Sequence, residues 1–265
     1  MSTAQNNMFA GIRSFWQTQF ISAGGQASFI GAFFRNIFRK GFEWNEFFHQ
    51  CYLVGNKSLG LIGITGFILG FVMTLQSEPT MREFGAESFV PSMVAISIIR
   101  EIGPVIIALI CAGKVASGMG AELASMKVSE QIDAMEVSGA NPMQYLVVTR
   151  ILACILMVPL LTLIGDALAI FGGFAASNIN DRMTLTLYFN KAFAAVEFTD
   201  LVPAVLKTIF FGFAIGFAGC YKGFNAAHGT ESVGVAANSA VVMASLWVIV
   251  LDAIAVQLTS AIAYH

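Results

Sequence analysis

The chain has 265 residues, of which 57% are hydrophobic and only 11% charged, with 24 Phe and 25 Gly. Soluble globular proteins carry about 25% charged residues, so a disordered chain, a nucleic-acid-binding domain and a secreted disulfide scaffold are excluded and an all-α polytopic membrane protein is indicated. The formal net charge of -2 steers it toward no polyanion.

The first eight residues lack the basic, apolar and small-residue order of a signal peptide, so the mature chain is expected to start at or near Met1. From about Ala27 to Gln50, Phe29, Phe33, Phe34, Ile37, Phe38 and Phe42 recur near helical spacing while Arg35, Arg39 and Lys40 interrupt them. That pattern predicts a helix in the headgroup plane, with packing on neighbouring spans as an equal alternative. Residues 1–50 are therefore read as a cytoplasmic N-terminal segment and 51–265 as the membrane domain.

Five segments reach the roughly 20 apolar residues that a spanning helix needs: about 52–76, 89–114, 147–176, 201–221 and 235–262. Ser77-Glu78-Pro79 is expected to end the first, Asn141-Pro142 to precede the third, and Pro91 and Pro203 to lie near helix starts. Arg13, Arg35, Arg39, Lys40, Lys114, Lys127, Arg150 and Lys222 fall on one side, against Arg82, Arg182 and Lys191 on the other. Basic residues are retained on the cytoplasmic side, which predicts a cytoplasmic N-terminus and an external His265.

Arg100 and Glu101 fall halfway along the second span, where an ionisable group costs roughly 2.5–3.5 kcal/mol. Pro104 frees the carbonyl of Arg100 and predicts a kink at the same level. The three together indicate a polar cavity wall; the alternative is an interhelical ion pair, Arg100 with Asp166 or Glu101 with Lys57. Asp252 of the fifth span is a weaker candidate of the same kind. Gly55, Gly60, Gly63, Gly66 and Gly70, and then Gly212, Gly216, Gly219 and Gly223, have spacings that let helices approach closely.

The connection at 115–145 reads as a cytoplasmic helix over about 121–138. Val128, Ile132 and Met135 make an apolar face beside an acidic stripe of Glu130, Asp133 and Glu136; Gly139 supplies a left-handed cap and Pro142 prevents continuation. Such a helix suits a groove in a soluble partner; the alternative, lying on the membrane, sets its acids against anionic headgroups.

No phosphate-binding loop is present, since Cys111-Ala112-Gly113-Lys114-Val115 lacks the upstream glycine and the Mg²⁺-binding hydroxyl. The chain is therefore expected not to hydrolyse ATP. His49, His228 and His265 are too scattered for a metal site, and Cys51, Cys111, Cys154 and Cys220 read as small apolar residues.

The blocks Arg100-Glu101-Ile102-Gly103-Pro104-Val105, Ala112-Gly113-Lys114, Ala121-Glu122-Leu123, Ser129 to Glu136 and Asn141-Pro142 resemble the MlaE/YrbE family of lipid ABC-transporter permeases. A second series, Gly219-Cys220-Tyr221-Lys222-Gly223, Gly229, Val233-Gly234 and Ala240-Val241-Val242, resembles that family's turn between the last two spans. The likeness runs from about residue 45 to 262. It implies five spans, an interfacial helix and a coupling helix, in a homodimer in the bacterial inner membrane. It also implies separate ATPase subunits that hold the ATP and Mg, an MCE-domain lipid carrier, a STAS-domain protein in some systems, and phospholipid as cargo; no cofactor is expected in this chain. By motif, Glu130, Ile132, Asp133, Met135 and Glu136 match the coupling helix, and Arg100, Glu101 and Pro104 the region near the lipid cavity. Lys114 stands where arginine is common, and Gly118-Met119-Gly120 is expected to loosen the exit from the second span. Two other readings compete: a proton-coupled transporter using Glu101, Asp166 and Asp252, and a non-transporting scaffold.

Overall fold

A computed structural model describes residues 24–39, 41–180 and 183–263, so the chain start, Arg13, Lys40, Arg182 and His265 lie outside the described residues. These residues form helices α1 (24–37), α2 (Trp44–Glu83), α3 (Glu87–Val128), α4 (Gln131–Val137), α5 (Met143–Ile179), α6 (Leu185–Ala194), α7 (Phe198–Phe224) and α8 (Glu231–Ala263). Of these, α2, α3, α5, α7 and α8 are long and apolar enough to cross a membrane, as expected.

The amphipathic segment is shorter than the 27–50 expected from sequence. It stops at residue 37 because Gly41 turns the chain at φ +93 and residues from Trp44 on belong to α2. One face of α1 is packed, with Phe29 against Phe217, Tyr221 and Phe224 and Phe33 against Phe213. Phe34 and Phe38 are left exposed. A polar latch ties its end to the α5 entrance: Asn141 Nδ2 donates to Asn36 Oδ1 (2.7 Å) and Gln144 Nε2 to the Arg39 carbonyl (3.2 Å).

Pro79 does not end the helix of the first span. Forty residues of α2 rise about 60 Å, twice the hydrocarbon thickness, so Pro79 sits in a projecting last turn where the carbonyl it frees can meet water. Glycine is what stops the helix: Gly85 adopts φ +66, its N–H bonds the Arg82 carbonyl, and the Ala86 N–H bonds that of Met81.

Small residues set how closely the spans approach. Added Cβ atoms at Gly66 and Gly70 of α2 would meet the backbone of Gly165 and Ala169 of α5, while those at Gly212 and Gly216 of α7 would meet Cys154 and Ile151. Further along α7, Gly219 and Gly223 lie against Ala116 and Gly120 of α3. In lipid no hydrophobic force drives helices together, so these backbone contacts and their dispersion hold the bundle. The four cysteines are buried and unbonded within it.

Sequence reading missed α6, between the third and fourth spans. Tyr188 and Ala192, one turn apart, are buried against Ala95 and Ile99 of α3 and Ile170 of α5. Burial pushes the Tyr188 phenol up to about 12, so it stays neutral.

Gly70→Ala is expected to destabilise the protein by about 3 kcal/mol, the upper end for overpacking, because the opposing atoms are backbone. Gly60→Ala, with nothing within 4 Å, should stay within about 1 kcal/mol of the wild type. Thermal unfolding in detergent checks both; equal effects would mean that the close crossing carries no special weight.

Candidate functional site: a charged cavity and an exposed helix

The middle of α3 is not regular α-helix. Pro104 has no N–H to donate, and the turn before it widens to a π turn over Ile98–Ile102, in which the Gly103 N–H reaches the Ile98 carbonyl. Arg100 and Glu101 lie on this turn and face an open cavity of about 680 Å³ between α3, α7 and α8. Phe198, Val202, Pro203, Ala255 and Val256 supply apolar wall.

Lys207 of α7, 6% exposed, organises the charges. Its Nζ donates to Glu101 Oε2 at 2.7 Å and to Asp252 Oδ1 of α8 at 3.0 Å, joining three helices through one ammonium. Arg100 Nε lies 3.5 Å from Asp200 Oδ1, in the first turn of α7. The other oxygen of Asp200 accepts the Glu197 N–H, so one carboxylate caps α7 and faces Arg100.

The structure brings Arg100 and Glu101 into one cavity and adds Asp252 through Lys207, but neither pairing expected from sequence occurs. Asp166 does not meet Arg100. It is buried (7% exposed) beside Gly103, whose missing Cβ makes room for it, and its Oδ1 has no hydrogen-bond partner among the described residues. Lys57 does not meet Glu101 either; its side chain is exposed and its backbone carbonyl accepts from Lys114 Nζ. Pro104 is buried on another side of α3, with Pro159, Thr162 and Asp166, and lines no part of the charged cavity. Its place follows from helix geometry, since residues three or four apart from Arg100 and Glu101 share their faces only approximately once a π turn intervenes.

Lys207 and Asp200 were missed. Lys207 is the single charge in α7 between Asp200 and Lys222, and a lone ionisable residue at such depth marks a partnered site; that was the available signal. Among the described residues no cluster of His, Cys, Asp and Glu is arranged to hold a metal.

At the other end of α3 the chain forms two helical pieces where one helix over 121–138 was expected. The α-helix over Ser117–Val128 runs unbroken through Gly118-Met119-Gly120, with Gly120 packed on Ala236 and Ala240 of α8 and open space beside Gly118. It stops at Ser129, whose Oγ bonds the Ser125 carbonyl (2.7 Å), and at Glu130, which adopts φ +58. Glu130 therefore lies before α4, and the acidic stripe is interrupted. Ile132 is buried and Met135 packs on the core, as the apolar spacing predicts. Asp133 is held by Lys127 Nζ at 2.7 Å, which leaves Glu130 and Glu136 exposed together with Val137, a hydrophobic residue at 91% exposure.

Gly139 (φ +80) closes α4, its N–H on the Glu136 carbonyl and that of Ala140 on Met135. Behind it, Arg150 of α5 is 2% exposed and donates to Glu122 Oε1 of α3 (2.8 Å) and to the Leu146 carbonyl (3.0 Å). That bond ties the bases of two spans beside the exposed helix.

Comparison with known proteins adds three observations. Residues 47–258 match the family described as Permease MlaE. A probable ABC transporter permease protein of Rickettsia typhi is 35% identical over 209 residues, 79% of this chain and 81% of the relative. Similar proteins of the same printed description occur in Rickettsia felis, 33% identical over 89% of this chain and 92% of the relative, and in Synechocystis, 31% identical over 82% of each.

Lys207→Met is expected to destabilise the bundle, though by less than the roughly 3–5 kcal/mol of a fully buried pair because Glu101 is half exposed. Glu101→Gln should cost less than Lys207→Met, since Asp252 still partners the lysine. Unfolding midpoints of the two variants give the order; the reverse order would mean that Lys207 is not the organising group.

Proposed function

The chain belongs to the MlaE permease family and is a permease subunit of an ABC transporter; from that premise we propose that it moves phospholipids or related lipids between the bacterial inner membrane and the outer envelope. The observation that carries the reading is a charged cavity opening from an apolar bundle: a lipid headgroup fits beside Arg100 and Glu101 while its tails lie on the Phe198, Val202 and Val256 wall. The volume falls in the range of small-molecule sites.

ATP and Mg are held by partner ATPase subunits, which dock on α4. Exposed Glu130, Glu136 and Val137 offer two charges around one apolar anchor, and Ile132, Met135 and the Asp133 to Lys127 bond fix the helix beneath them. The working unit is a homodimer with an MCE-domain lipid carrier and, in some assemblies, a STAS-domain protein. Its N-terminus is cytoplasmic and its C-terminus periplasmic, from the distribution of Lys and Arg. A proton path through Glu101, Asp166 and Asp252 is less well supported, because Glu101 and Asp252 share one lysine while Asp166 sits on another side of α3.

The combined variant Glu130→Lys, Glu136→Lys and Val137→Asp is expected to lower the amount of co-purifying ATPase by at least about tenfold. Helix content by circular dichroism should stay at the wild-type value, since all three side chains are exposed. Undiminished association would remove α4 as the docking element.

A further inference from the structure

We propose that the cavity selects a headgroup that carries both a phosphate and a primary ammonium, with Arg100 as the phosphate ligand and Glu101 as the ammonium ligand. The inference rests on the lipid reading above and names the class of lipid.

Five charged groups line or touch the cavity, and internal pairing treats them unequally. Lys207, Asp200 and Asp252 have side chains 6%, 19% and 21% exposed. Arg100 and Glu101 remain 53% and 44% exposed. The two groups that a ligand can reach are thus of opposite sign and on consecutive residues. Successive positions on a helical turn point in different directions, so the pair is splayed around the cavity and does not neutralise itself; no salt bridge joins Arg100 to Glu101 among the described residues.

Each has binding capacity to spare. The guanidinium has five N–H donors in a fork that matches a phosphate, and its one ionic contact among the described residues, Nε to Asp200, is long at 3.5 Å. Glu101 gives Oε2 to Lys207 and keeps Oε1, an anionic acceptor suited to an ammonium N–H.

The formal sum favours a neutral headgroup. Arg100 and Lys207 are opposed by Glu101, Asp200 and Asp252, two positive charges against three negative. A headgroup with a net negative charge adds to that excess, whereas a phosphate and an ammonium together add none. A primary ammonium is preferred to a quaternary one for a second reason. Quaternary ammonium groups are recognised by cages of aromatic rings, and Phe198 is the single ring among the lining residues.

The test uses the full chain purified with its co-purifying subunits. It is reconstituted in nanodiscs of equal parts phosphatidylethanolamine, phosphatidylcholine and phosphatidylglycerol, then extracted into detergent for quantification of retained lipid by native mass spectrometry. Phosphatidylethanolamine is expected to exceed phosphatidylglycerol by about tenfold, the ratio that one charge-assisted hydrogen bond supplies, and also to exceed phosphatidylcholine. Glu101→Gln should bring the three lipids back toward the supplied ratio, the ethanolamine lipid losing most, while Arg100→Gln should lower retention of all three. Asp200→Asn, which removes one negative charge without touching Glu101, is expected to raise the phosphatidylglycerol share and serves if Glu101→Gln does not fold. Wild-type retention at the supplied ratio overturns the selectivity and leaves the lipid reading standing. Equal retention of ethanolamine and choline lipids overturns the ammonium assignment. A wild type that retains no lipid overturns the proposed function itself.

Discussion

One ammonium in an apolar bundle is the constraint that the charged cavity answers to. Lys207 is 6% exposed within a helix that is otherwise uncharged from Leu201 to Tyr221, and an unpaired charge at that depth would cost several kcal/mol. Two carboxylates from two different helices offset that cost, and in doing so they fix α3 and α8 relative to α7. Because Glu101 is held by Lys207 from one side, its other oxygen and the neighbouring Arg100 are directed into open volume. The exposed half of the site exists because the buried half is satisfied.

A single element, α3, carries both regions of interest. From Glu101 to Val128 the helix rises about 40 Å, from the charged cavity to the turn at Ser129 that precedes α4. Two π turns interrupt it, Ile98–Ile102 and Ala112–Ala116. The first absorbs Pro104. The second contains Lys114, whose ammonium reaches the Lys57 carbonyl of α2. Each is a place where a turn of helix has one residue more than regular geometry allows, and so a place where α3 can change length or rotation without breaking. The Arg150 to Glu122 bond and the buried Ile132 keep its far end attached to α5 and α4.

Long apolar stretches were legible because the bilayer demands them, and so the five long apolar helices were found while the points where those helices end were not. Composition carries no signal for where a helix leaves the hydrocarbon, and α2 runs past Pro79 until Gly85 permits a left-handed residue. Gly139 was read correctly on that same principle. Spacing placed Ile132 and Met135 inward, but it could not show that Ser129 and Glu130 break the helix, since neither residue type forbids helix and a local Ser129 bond decides it. For the charges, sequence gives depth and not azimuth. Arg100 and Glu101 were recognisable from depth alone, whereas their partners depend on which faces of α7 and α8 turn toward α3, a question that the contacts of Gly219 and Gly223 with α3, and of Gly120 with α8, settle in three dimensions.

The open side of the cavity bears on assembly. Arg100 and Glu101, about half exposed in one copy of the chain, cannot both face acyl chains without the penalty that led Lys207 to be doubly paired. They must therefore face water, a polar ligand or protein. Of the three spans around that opening, α8 has the most uncovered apolar surface: its most hydropathic stretch is 22% buried, against 50% for α3 and 56% for α7. An apolar face beside an open charged cavity suits two copies meeting at α8, each closing the other's opening, and the proposed homodimer supplies that cover. In such an arrangement the charges of two copies would line one chamber. The excess of carboxylates over cations would double there, and the discrimination against anionic headgroups would become stronger than one copy alone provides.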